Sequence, residues 1–467
     1  MQTLGDREVK GVPPVRRGQE VTLEIADLAS NGEGVGRHEG FTVFVPGALP
    51  GEKIRARVIS VQKSYARALA QAVLDPAPHR VTPACRAYPA CGGCRLQHLS
   101  YPGQLRFKQQ VVERALRHIG RLSGVTVLPT LGMDQPWAYR NKAQFPLARR
   151  GGRVVAGFYA PRTHRVVEIE ECPLQHPRAN QALAAVLAAA NELRIPAYDE
   201  ETGAGFLRHL LVRVAVQTGE LMLVLVSRER AVPQLTRLVK KLVAGVPGLT
   251  SLLLNVNPQR TNVILGEEWQ TLWGSPTISE YLGPYRFRIS GGSFFQVNPA
   301  QTVRLYEKAV EYAALTGRET VLDAYCGIGT ISLFLAAQAR QVHGIEVVAS
   351  AVEDARLNAR ENGVANAEFH LGRVEEVLPR LSAAGVHPDV VVVDPPRQGC
   401  RPEVLSALAA ARPERLVYVS CHPATLARDL GILAVHGLKA VVVQPVDMFP
   451  QTMHVESVVL MQNEKNK

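Results

Sequence analysis

The 467-residue sequence has no apolar segment long enough to cross a bilayer, and its basic N-terminal residues are not followed by an apolar core. We therefore expect neither a membrane anchor nor a secretory signal peptide, and a cytoplasmic location. Cysteine is also scarce. The seven cysteines are too few and too unevenly spaced for a disulfide framework. The length exceeds what one hydrophobic core accommodates, which favours two or three domains.

Acidic residues are outnumbered by basic ones, 42 to 53, so the net charge is +11. Lysine and arginine side chains that neutralise phosphates release counterions, so this balance favours a polyanionic partner such as nucleic acid. The alternative interpretation is a surplus of charge that only keeps the protein soluble.

The N-terminal part divides into a basic tail, residues 1–14, and a segment of short strands with glycine and proline at the breaks, residues 15–75. Several short strands in so few residues are typical of an OB-like β-barrel. Basic residues recur on these strands, often at alternate positions, which would place much of their charge on one face. An ordinary solvated surface is the equally weighted alternative. They are Lys53, Arg55, Arg57, Lys63 and Arg67.

Residues 76–288 are strand-rich with interspersed helices, a pattern that predicts a central α+β domain. An amphipathic helix is expected from residue 101 to about 121, and the segment 101–124 is expected to pack on the catalytic domain. From residue 289 to 467 strands alternate with glycine loops and helices, which predicts a doubly wound, Rossmann-like α/β domain. Ligands of such domains bind at the carboxyl ends of the strands.

Two acids are predicted at such strand ends. Asp323 lies near the end of an apolar strand and is followed by Gly327 and Gly329, which allow backbone to approach a ligand closely. Glu346 ends the next strand, where an acid commonly accepts hydrogen bonds from ribose hydroxyls. A nicotinamide dehydrogenase would carry a similar acid, but its loop should contain a full G-x-G-x-x-G, so methyl transfer is favoured.

Asp394 ends a third apolar strand, before two prolines that restrict the backbone. It could hold a ligand, or it could cap a helix. Glu456 lies within an apolar strand near the C-terminus. A carboxylate there is costly unless it is paired, functional or exposed to solvent, and exposure is the simpler alternative.

Cys421 follows another strand and precedes a helix expected to begin near Pro423. Because a helix N-terminus favours the thiolate, Cys421 is the candidate nucleophile. The alternative is a cysteine that serves only as a small apolar residue. Cys326 and Cys400 lie near other motifs, but no comparable acidic partner is expected beside them.

Five motifs, in order, resemble the signatures of the RNA uracil-5-methyltransferases, and the N-terminal barrel resembles their TRAM domain. The motifs are FFQVNP at 294–299, DAYCGIG at 323–329, DPPRQGC at 394–400, SCHPATLARDL at 420–430 and VDMFPQTMHVE at 446–456. The resemblance implies that Cys421 adds to C6 of a uridine, that C5 takes a methyl group from S-adenosylmethionine, and that Glu456 removes the C5 proton.

The same resemblance implies four residues that bind S-adenosylmethionine, and a target uridine that is looped or flipped out. The four residues are Gln296, Tyr325, Glu346 and Asp394. Phe294 and Phe295 are candidates for stacking on the uracil. Two positions depart from the family pattern: His422 stands where asparagine is usual, and Thr330 stands where some members have asparagine.

A cysteine cluster precedes these motifs: Cys85, Cys91 and Cys94 form C-x5-C-x2-C, and Cys172 lies further along. Four thiolates can hold either zinc or a [4Fe-4S] cluster, and the spacing does not separate the two. Family members with such cysteines carry a [4Fe-4S] cluster and lean towards ribosomal RNA. The resemblance therefore implies an iron-sulfur protein acting on 23S ribosomal RNA. A monomer is expected only by default. A transfer RNA methyltransferase and a non-catalytic RNA-binding protein are the alternatives.

Overall fold

The computed structural model describes residues 13–463, so residues 1–12 of the predicted basic tail lie outside the described residues. The described chain forms two compact units. One comprises residues 13–89, 94–107 and 451–453, and the other comprises residues 90–93, 108–450 and 454–463.

The first unit contains the predicted barrel, which is closed by five strands in the order β1-β2-β3-β5-β4. Side chains alternate between the interior and solvent along β1 and β4, as the strand period of two requires. Small and branched apolar residues such as Ile25, Ile54 and Ala56 fill the interior. The strands are β1 (Glu20–Leu28), β2 (Glu33–His38), β3 (Phe41–Pro46), β4 (Lys53–Val61) and β5 (Tyr65–Asp75).

The predicted basic face is present in large part on the outside of the barrel. Lys53, Arg55, Arg57 and Lys63 are exposed. Arg67 differs, because it is half-buried and its guanidinium lies 3.3 Å from the Glu33 carboxylate. Four of the five predicted cations are therefore presented to solvent.

The segment after the barrel begins with α1 (Tyr101–His118) and β6 (Thr126–Val127) and continues into a seven-stranded sheet and a hairpin. The sheet order is β13-β12-β11-β10-β7-β8-β9, and its only parallel pair among the described strands is β11 with β12. The elements are β7 (Lys142–Arg150), β8 (Arg153–Tyr159), β9 (Val166–Glu168), α2 (Pro177–Glu192), β10 (Leu207–Val214), β11 (Leu221–Ser227), α3 (Leu235–Gly245), β12 (Leu249–Val256), β13 (Glu268–Gly274), β14 (Thr277–Leu282) and β15 (Tyr285–Ser290).

The C-terminal part forms the predicted doubly wound sheet, in the order β18-β17-β16-β19-β20-β22-β21-β6. The first five of these strands are parallel, and β22 runs antiparallel to both neighbours. The elements are α4 (Pro299–Ala313), β16 (Thr320–Ala324), α5 (Thr330–Ala336), β17 (Gln341–Glu346), α6 (Ala349–Glu361), β18 (Ala367–Leu371), α7 (Val374–Ala383), β19 (Val390–Val393), α8 (Pro402–Ala411), β20 (Arg415–Ser420), α9 (Pro423–Val435), β21 (Leu438–Val446) and β22 (Glu456–Asn463).

The central and C-terminal segments share hydrophobic cores within the second unit. Val112, Ala115 and Leu116 of α1 pack in the same cluster as residues of β16, β19 and β20, and β6 extends the C-terminal sheet beside β21. Residues on both sides of the predicted boundary between 288 and 289 therefore contribute to the same hydrophobic cores. Between residues 13 and 463, every helix is too short or too polar to span a membrane.

A fully buried ion pair joins α1 to the chain after β21. The Lys108 Nζ lies 2.5 Å from Asp447 Oδ1 and donates to the Phe449 carbonyl at 3.0 Å, and neither charged side chain is exposed. Burial lowers the pKa of Lys108, and the Asp447 carboxylate partly offsets this effect. A pair like this is costly to break, because one partner left alone is a buried charge.

The variant Lys108→Met is therefore expected to lower the free energy of unfolding by about 3–5 kcal/mol, measured by urea denaturation. Lys240→Met, the same substitution at an exposed position of α3, serves as the control. The double variant Lys108→Met/Asp447→Leu should recover much of the loss, since it removes both charges. A loss for Lys108→Met no larger than that of the control would show that this pair does not stabilise the fold.

Candidate functional site

The loop between β16 and α5 has a backbone that few residues tolerate. Tyr325, Gly327 and Gly329 all have positive φ, at 71°, 55° and 83°. A side chain at Gly329 would also come within 3.1 Å of the Phe369 ring. Glycine avoids this steric cost, so the loop can turn tightly over the end of the strand. Asp323, which is 1% exposed, lies beneath it.

Glu346 closes the same region from the end of β17. Its Oε2 accepts a hydrogen bond from the Gly327 N–H at 3.2 Å, and its Oε1 accepts from the N–H groups of Val347 and Val348 at 2.7 and 2.9 Å. A carboxylate has about four acceptor positions, so one remains on Oε2 for a ligand. The backbone thus holds this side chain in one orientation.

These loops line a cavity of about 950 Å³. The predicted cofactor residues Gln296, Tyr325, Glu346 and Asp394 all line it. Asp323 also lines it, and within the described chain its buried Oδ1 has no hydrogen-bond partner, while Oδ2 accepts from the Ser332 hydroxyl at 2.5 Å. Burial raises the pKa of Asp323 to about 7. The cavity can therefore accept polar hydrogens from a ligand of cofactor size.

Cys421 and Glu456 come together through the pairing of β20 with β22. The antiparallel register pairs Ser420 with Ser457, which places Cys421 opposite Glu456 one step further along. Cys421 is half-buried, and Glu456 is 4% exposed rather than facing solvent. Asp394, which lines the cavity, is close enough to both side chains to influence their ionisation. The nucleophile and the acid predicted from sequence are therefore neighbours in the structure.

The helix start does not leave Cys421 with a lowered pKa. Although α9 does begin at Pro423, burial raises the pKa of the Cys421 thiol to about 11, and Glu456 and Asp394 add to the rise. Burial also raises the pKa of Glu456 to about 8, with Asp394 adding to that rise, and raises the pKa of Asp394 to about 7. Desolvation and the neighbouring carboxyl groups thus outweigh the helix terminus.

Arg397 is a candidate functional residue that was not singled out from the sequence. Its positive charge lies near enough to lower the pKa of both the Cys421 thiol and Glu456, against the effect of burial. Its backbone carbonyl accepts a hydrogen bond from the Thr425 hydroxyl of α9 at 3.0 Å, which fixes the loop beside the helix start. Arg397 lies in the DPPRQGC motif, so the sequence contained this residue but did not indicate that it lies near Cys421.

A half-buried, neutral histidine lies close to Glu456 in the sequence. His454 lies two residues before it, and burial lowers the pKa of His454 to about 4, with Arg397 and Lys108 among the cations that add to this effect. Its neutral ring forms an edge contact with Phe449, with centroids 6.1 Å apart. The sequence motif contains His454, but its spacing gave no indication of this environment.

The two departures from the family pattern have local structural roles. His422 is the N-cap of α9, where its Nδ1 accepts a hydrogen bond from the Thr425 N–H at 3.4 Å. An asparagine side chain can fill the same position, so histidine replaces one capping acceptor with another. Thr330, the first residue of α5, shares a hydrogen bond of 2.9 Å with the Tyr306 hydroxyl.

Two expectations about side chains near the cavity need correction. Phe295 is 4% exposed and packs in the core against Phe287, which leaves little of its ring to stack on a base, whereas Phe294 is 75% exposed. Cys326 and Cys400 do have acidic neighbours: Asp323 and Glu346 influence the first, and Asp429 the second. Both thiols are buried, and burial raises the pKa of each. Their burial, rather than a lack of acids, separates them from Cys421.

The four predicted metal-binding cysteines are all half-buried. Cys85 and Cys94 belong to the first compact unit, and Cys91 and Cys172 to the second. The Cys91 sulfur accepts a hydrogen bond from the Gly93 N–H at 3.4 Å, a contact typical of ligating thiolates. The chemistry of this donor set suits either a [4Fe-4S] cluster or zinc.

The glycine between these cysteines has a steric reason to be there. A side chain at Gly92 would come within 2.7 Å of the Tyr159 carbonyl oxygen, which already accepts the Gly92 N–H at 3.0 Å. The CGGC segment therefore depends on close backbone contact with the end of β8.

Comparison with known proteins agrees with the motifs. Residues 282–464 match the profile of the tRNA (uracil-5-)-methyltransferase family, and residues 14–70 match the TRAM domain. An uncharacterized RNA methyltransferase of Halalkalibacterium halodurans is 48% identical over 449 residues, covering 96% of this chain and 98% of that protein. One from Clostridium acetobutylicum is 46% identical over 451 residues, with the same coverage of 96% and 98%.

A solved structure supports the same relationship. The tRNA (uracil-54, C5)-methyltransferase of Pyrococcus abyssi, in complex with S-adenosyl-L-homocysteine, matches with a TM-score of 0.75 and 31% identity, covering 94% of this chain and 99% of that one. The resemblance stated from the five motifs is thereby confirmed over nearly the whole chain. The protein belongs to the RNA (uracil-5-)-methyltransferase family, with an N-terminal TRAM domain.

Proposed function

We propose that this protein transfers a methyl group from S-adenosylmethionine to C5 of a uridine in RNA, with Cys421 as the nucleophile and Glu456 as the general base. The observation that carries the proposal is the placement of Cys421 opposite Glu456, beside Asp394 at the edge of the cavity. Neither an amino-group methyltransferase nor a dehydrogenase needs a thiol at this point.

The first step is addition of the Cys421 sulfur to C6 of the uracil. C5 alone is too weak a nucleophile to attack a methyl group, and the new S–C6 bond turns the C5–C6 double bond into an enolate that can. With a pKa of about 11 the thiol is mostly protonated at neutral pH, so its proton must leave as the bond forms. The half-exposed position of Cys421 lets water take this proton, and Arg397 stabilises the thiolate.

The last step is removal of the C5 proton after C5 has been methylated. The Glu456 carboxylate takes this proton, the C5–C6 double bond forms again, and Cys421 leaves as a thiolate. A pKa of about 8 makes Glu456 a stronger base than an ordinary carboxylate once it is ionised. Its burial keeps water away from the carboxyl group.

The cavity is proposed to hold S-adenosylmethionine, which supplies an electrophilic methyl group. Glu346 and Asp323 have acceptor positions for hydroxyl or amino hydrogens, and Gln296, Tyr325 and Asp394 line the remaining walls. Asp394 lines this cavity and also influences the pKa of Cys421, so it lies near both the proposed methyl donor and the proposed nucleophile. The exposed Phe294 ring also lines the cavity and is the proposed stacking partner for the flipped uracil.

The pH dependence of kcat/KM should show the influence of Arg397 on the ionisation of Glu456 and Cys421. In the wild type we expect the rate to rise with pH through about 8 as Glu456 ionises, and to rise further towards 11 as Cys421 does. Arg397→Gln removes the charge that lowers both pKa values, so the rising limb should move to higher pH, with a loss of roughly tenfold or more at pH 7. Arg412→Gln, at the exposed end of α8, controls for net charge. An unshifted profile for Arg397→Gln would contradict this role.

The RNA substrate is proposed to be 23S ribosomal RNA, and the four cysteines are proposed to hold a [4Fe-4S] cluster, with zinc as the alternative. Support comes from the donor set Cys85, Cys91, Cys94 and Cys172 and from the exposed basic barrel strands. Methyl transfer of this kind moves no electron, so the cluster would be structural. The transfer RNA enzyme of Pyrococcus abyssi makes transfer RNA the second candidate substrate.

Cys91→Ser should accordingly impair folding or RNA binding before it affects chemistry. The expected results are a lower melting temperature and weaker RNA binding, while the single-turnover rate on saturating RNA stays close to that of the wild type. A Cys91→Ser variant that folds normally and binds RNA tightly but does not methylate it would contradict a structural role.

The test of the proposed function is transfer of labelled methyl from S-adenosylmethionine to unmodified ribosomal and transfer RNA, assayed side by side. Label in 5-methyluridine of 23S ribosomal RNA supports both reaction and substrate. Label only in transfer RNA keeps the reaction and overturns the substrate. Absence of any transfer with either RNA would favour the remaining candidate, a non-catalytic RNA-binding protein.

A further inference from the structure

Away from the cavity, three side chains with metal-binding groups gather at the edge of the eight-stranded sheet. The parallel register of β17 and β18 pairs His343 with Glu368 and Ile345 with His370. Because side chains alternate along a strand, His343, Glu368 and His370 share one face of the sheet. One nitrogen or oxygen from each of the three lies within 4.8 Å of the others.

Two of the three separations between these atoms are close to those of ligands that share one ion. The His343 Nδ1 lies 3.2 Å from the His370 Nε2 and 3.6 Å from the Glu368 Oε2. Two ligands held at 2.0–2.1 Å by a tetrahedral zinc ion are about 3.3–3.4 Å apart. The two rings are stacked, with their centroids 5.4 Å apart and their planes 27° from parallel. A hydrogen bond between the two rings would also explain the short nitrogen separation. It would not explain why the Glu368 carboxylate lies beside them.

The three side chains differ in burial, so one side of the group is packed against the protein and the other is open to solvent. His343 is 6% exposed, His370 is half-buried, and the Glu368 side chain is 61% exposed. The rings are thus held by packing, while water can complete the coordination beside the carboxylate. Arg356 and Arg380 lie near enough to His370 to disfavour a cation, although Glu353 pairs with Arg356 at 2.8 Å. We therefore expect weaker binding than at a four-thiolate site.

We propose that His343, Glu368 and His370 form a binding site for a divalent late transition-metal ion, with zinc as the ion that their nitrogen and oxygen donors suit best. The ion would join the edge strand β18 to β17. Because β17 ends at Glu346, and the Glu346 carbonyl accepts the Gly372 N–H at 3.0 Å just after β18, this link would stabilise the strand end that carries a cavity carboxylate. The proposal does not depend on which RNA is methylated.

The first experiment is calorimetric titration of the full chain, loaded at its cysteines, with ZnCl₂ alone. The wild type should bind one equivalent beyond the metal already held, and zinc should raise its melting temperature. His370→Ala and Glu368→Gln, which change partly exposed side chains, should weaken binding by at least about tenfold. His436→Ala, at an exposed histidine after α9, is the matched control and should bind as the wild type does.

A cobalt spectrum separates this site from the cysteines. Cobalt bound by imidazole and carboxylate shows no thiolate-to-metal charge-transfer band, whereas cobalt bound by cysteine does. The additional equivalent should therefore lack this band in the wild type and disappear in His370→Ala. The proposal is overturned if no additional equivalent binds, if His370→Ala binds as tightly as His436→Ala, or if the band accompanies the added ion.

Discussion

Replacing Cys421 with alanine should reduce methyl transfer by about 10⁴-fold or more, with little change in RNA binding. The size of the effect follows from the chemistry, because without the S–C6 bond the uracil has no enolate and C5 cannot attack the methyl group. The loss should appear in the single-turnover rate on saturating RNA and not in the affinity for RNA.

The matched control is Cys400→Ala, which removes a buried thiol 3.5 Å from the Tyr418 hydroxyl. This variant should keep most of the activity, although it leaves a small cavity in the core. Comparable losses in the two variants would indicate that the defect comes from packing. Full activity of Cys421→Ala would show that another residue is the nucleophile.

Glu456→Gln should separate the two halves of the reaction. Cys421 can still add to C6 and C5 can still be methylated, but no base removes the C5 proton, so the protein should stay covalently attached to methylated RNA. A slowly resolving band of protein and RNA on a denaturing gel, labelled by methyl from S-adenosylmethionine, is the expected result. Release of product at the wild-type rate would remove Glu456 from the mechanism.

The same variant should be more stable than the wild type in alkaline solution. The folded-state pKa of Glu456 is raised from 4.5 to about 8, so the unfolded chain loses its proton first and stability is lost as the pH rises from about 4.5 through 8. Glutamine carries no charge, so Glu456→Gln should avoid this loss. Thermal melts at pH 6 and pH 9 should show a gain in melting temperature that is larger at pH 9. An equal shift at both values would contradict the raised pKa.

Local patterns in the sequence were enough to predict the main elements around the site. Alternation along β1 and β4 indicated the barrel, and Pro423 marked the start of α9. Glu346 was expected at a strand end, and β17 does end there. These features depend on residues close together in the chain, where period and turn chemistry act directly.

Features that depend on distant residues could not be predicted in this way. Lys108 and Asp447 form an ion pair although they are far apart in the sequence. Likewise β6 pairs with β21, although the strands of the seven-stranded sheet lie between them in the sequence. The raised pKa of Cys421 depends on how deeply the strand end is buried and on two carboxyl groups from other strands. The helix terminus, which the sequence does reveal, is the weaker influence.

The motif residues illustrate the same limit. Phe294 and Phe295 are adjacent and chemically identical, yet one is exposed and the other lies in the core. Arg397 stands within a recognised motif, but only the fold brings its guanidinium to Cys421. His343 and His370 lie on separate strands with a helix between them, so their spacing in sequence gives no indication of a shared site.

The most direct test of the central claim is to incubate the protein with S-adenosylmethionine and RNA containing 5-fluorouridine, and then to map the attachment by mass spectrometry. Fluorine at C5 cannot be removed as a proton is, so the adduct formed by the cysteine mechanism persists. The account predicts a peptide carrying a methylated fluorouridine nucleotide on Cys421. Attachment at another residue, or methylated RNA without any adduct, would contradict it.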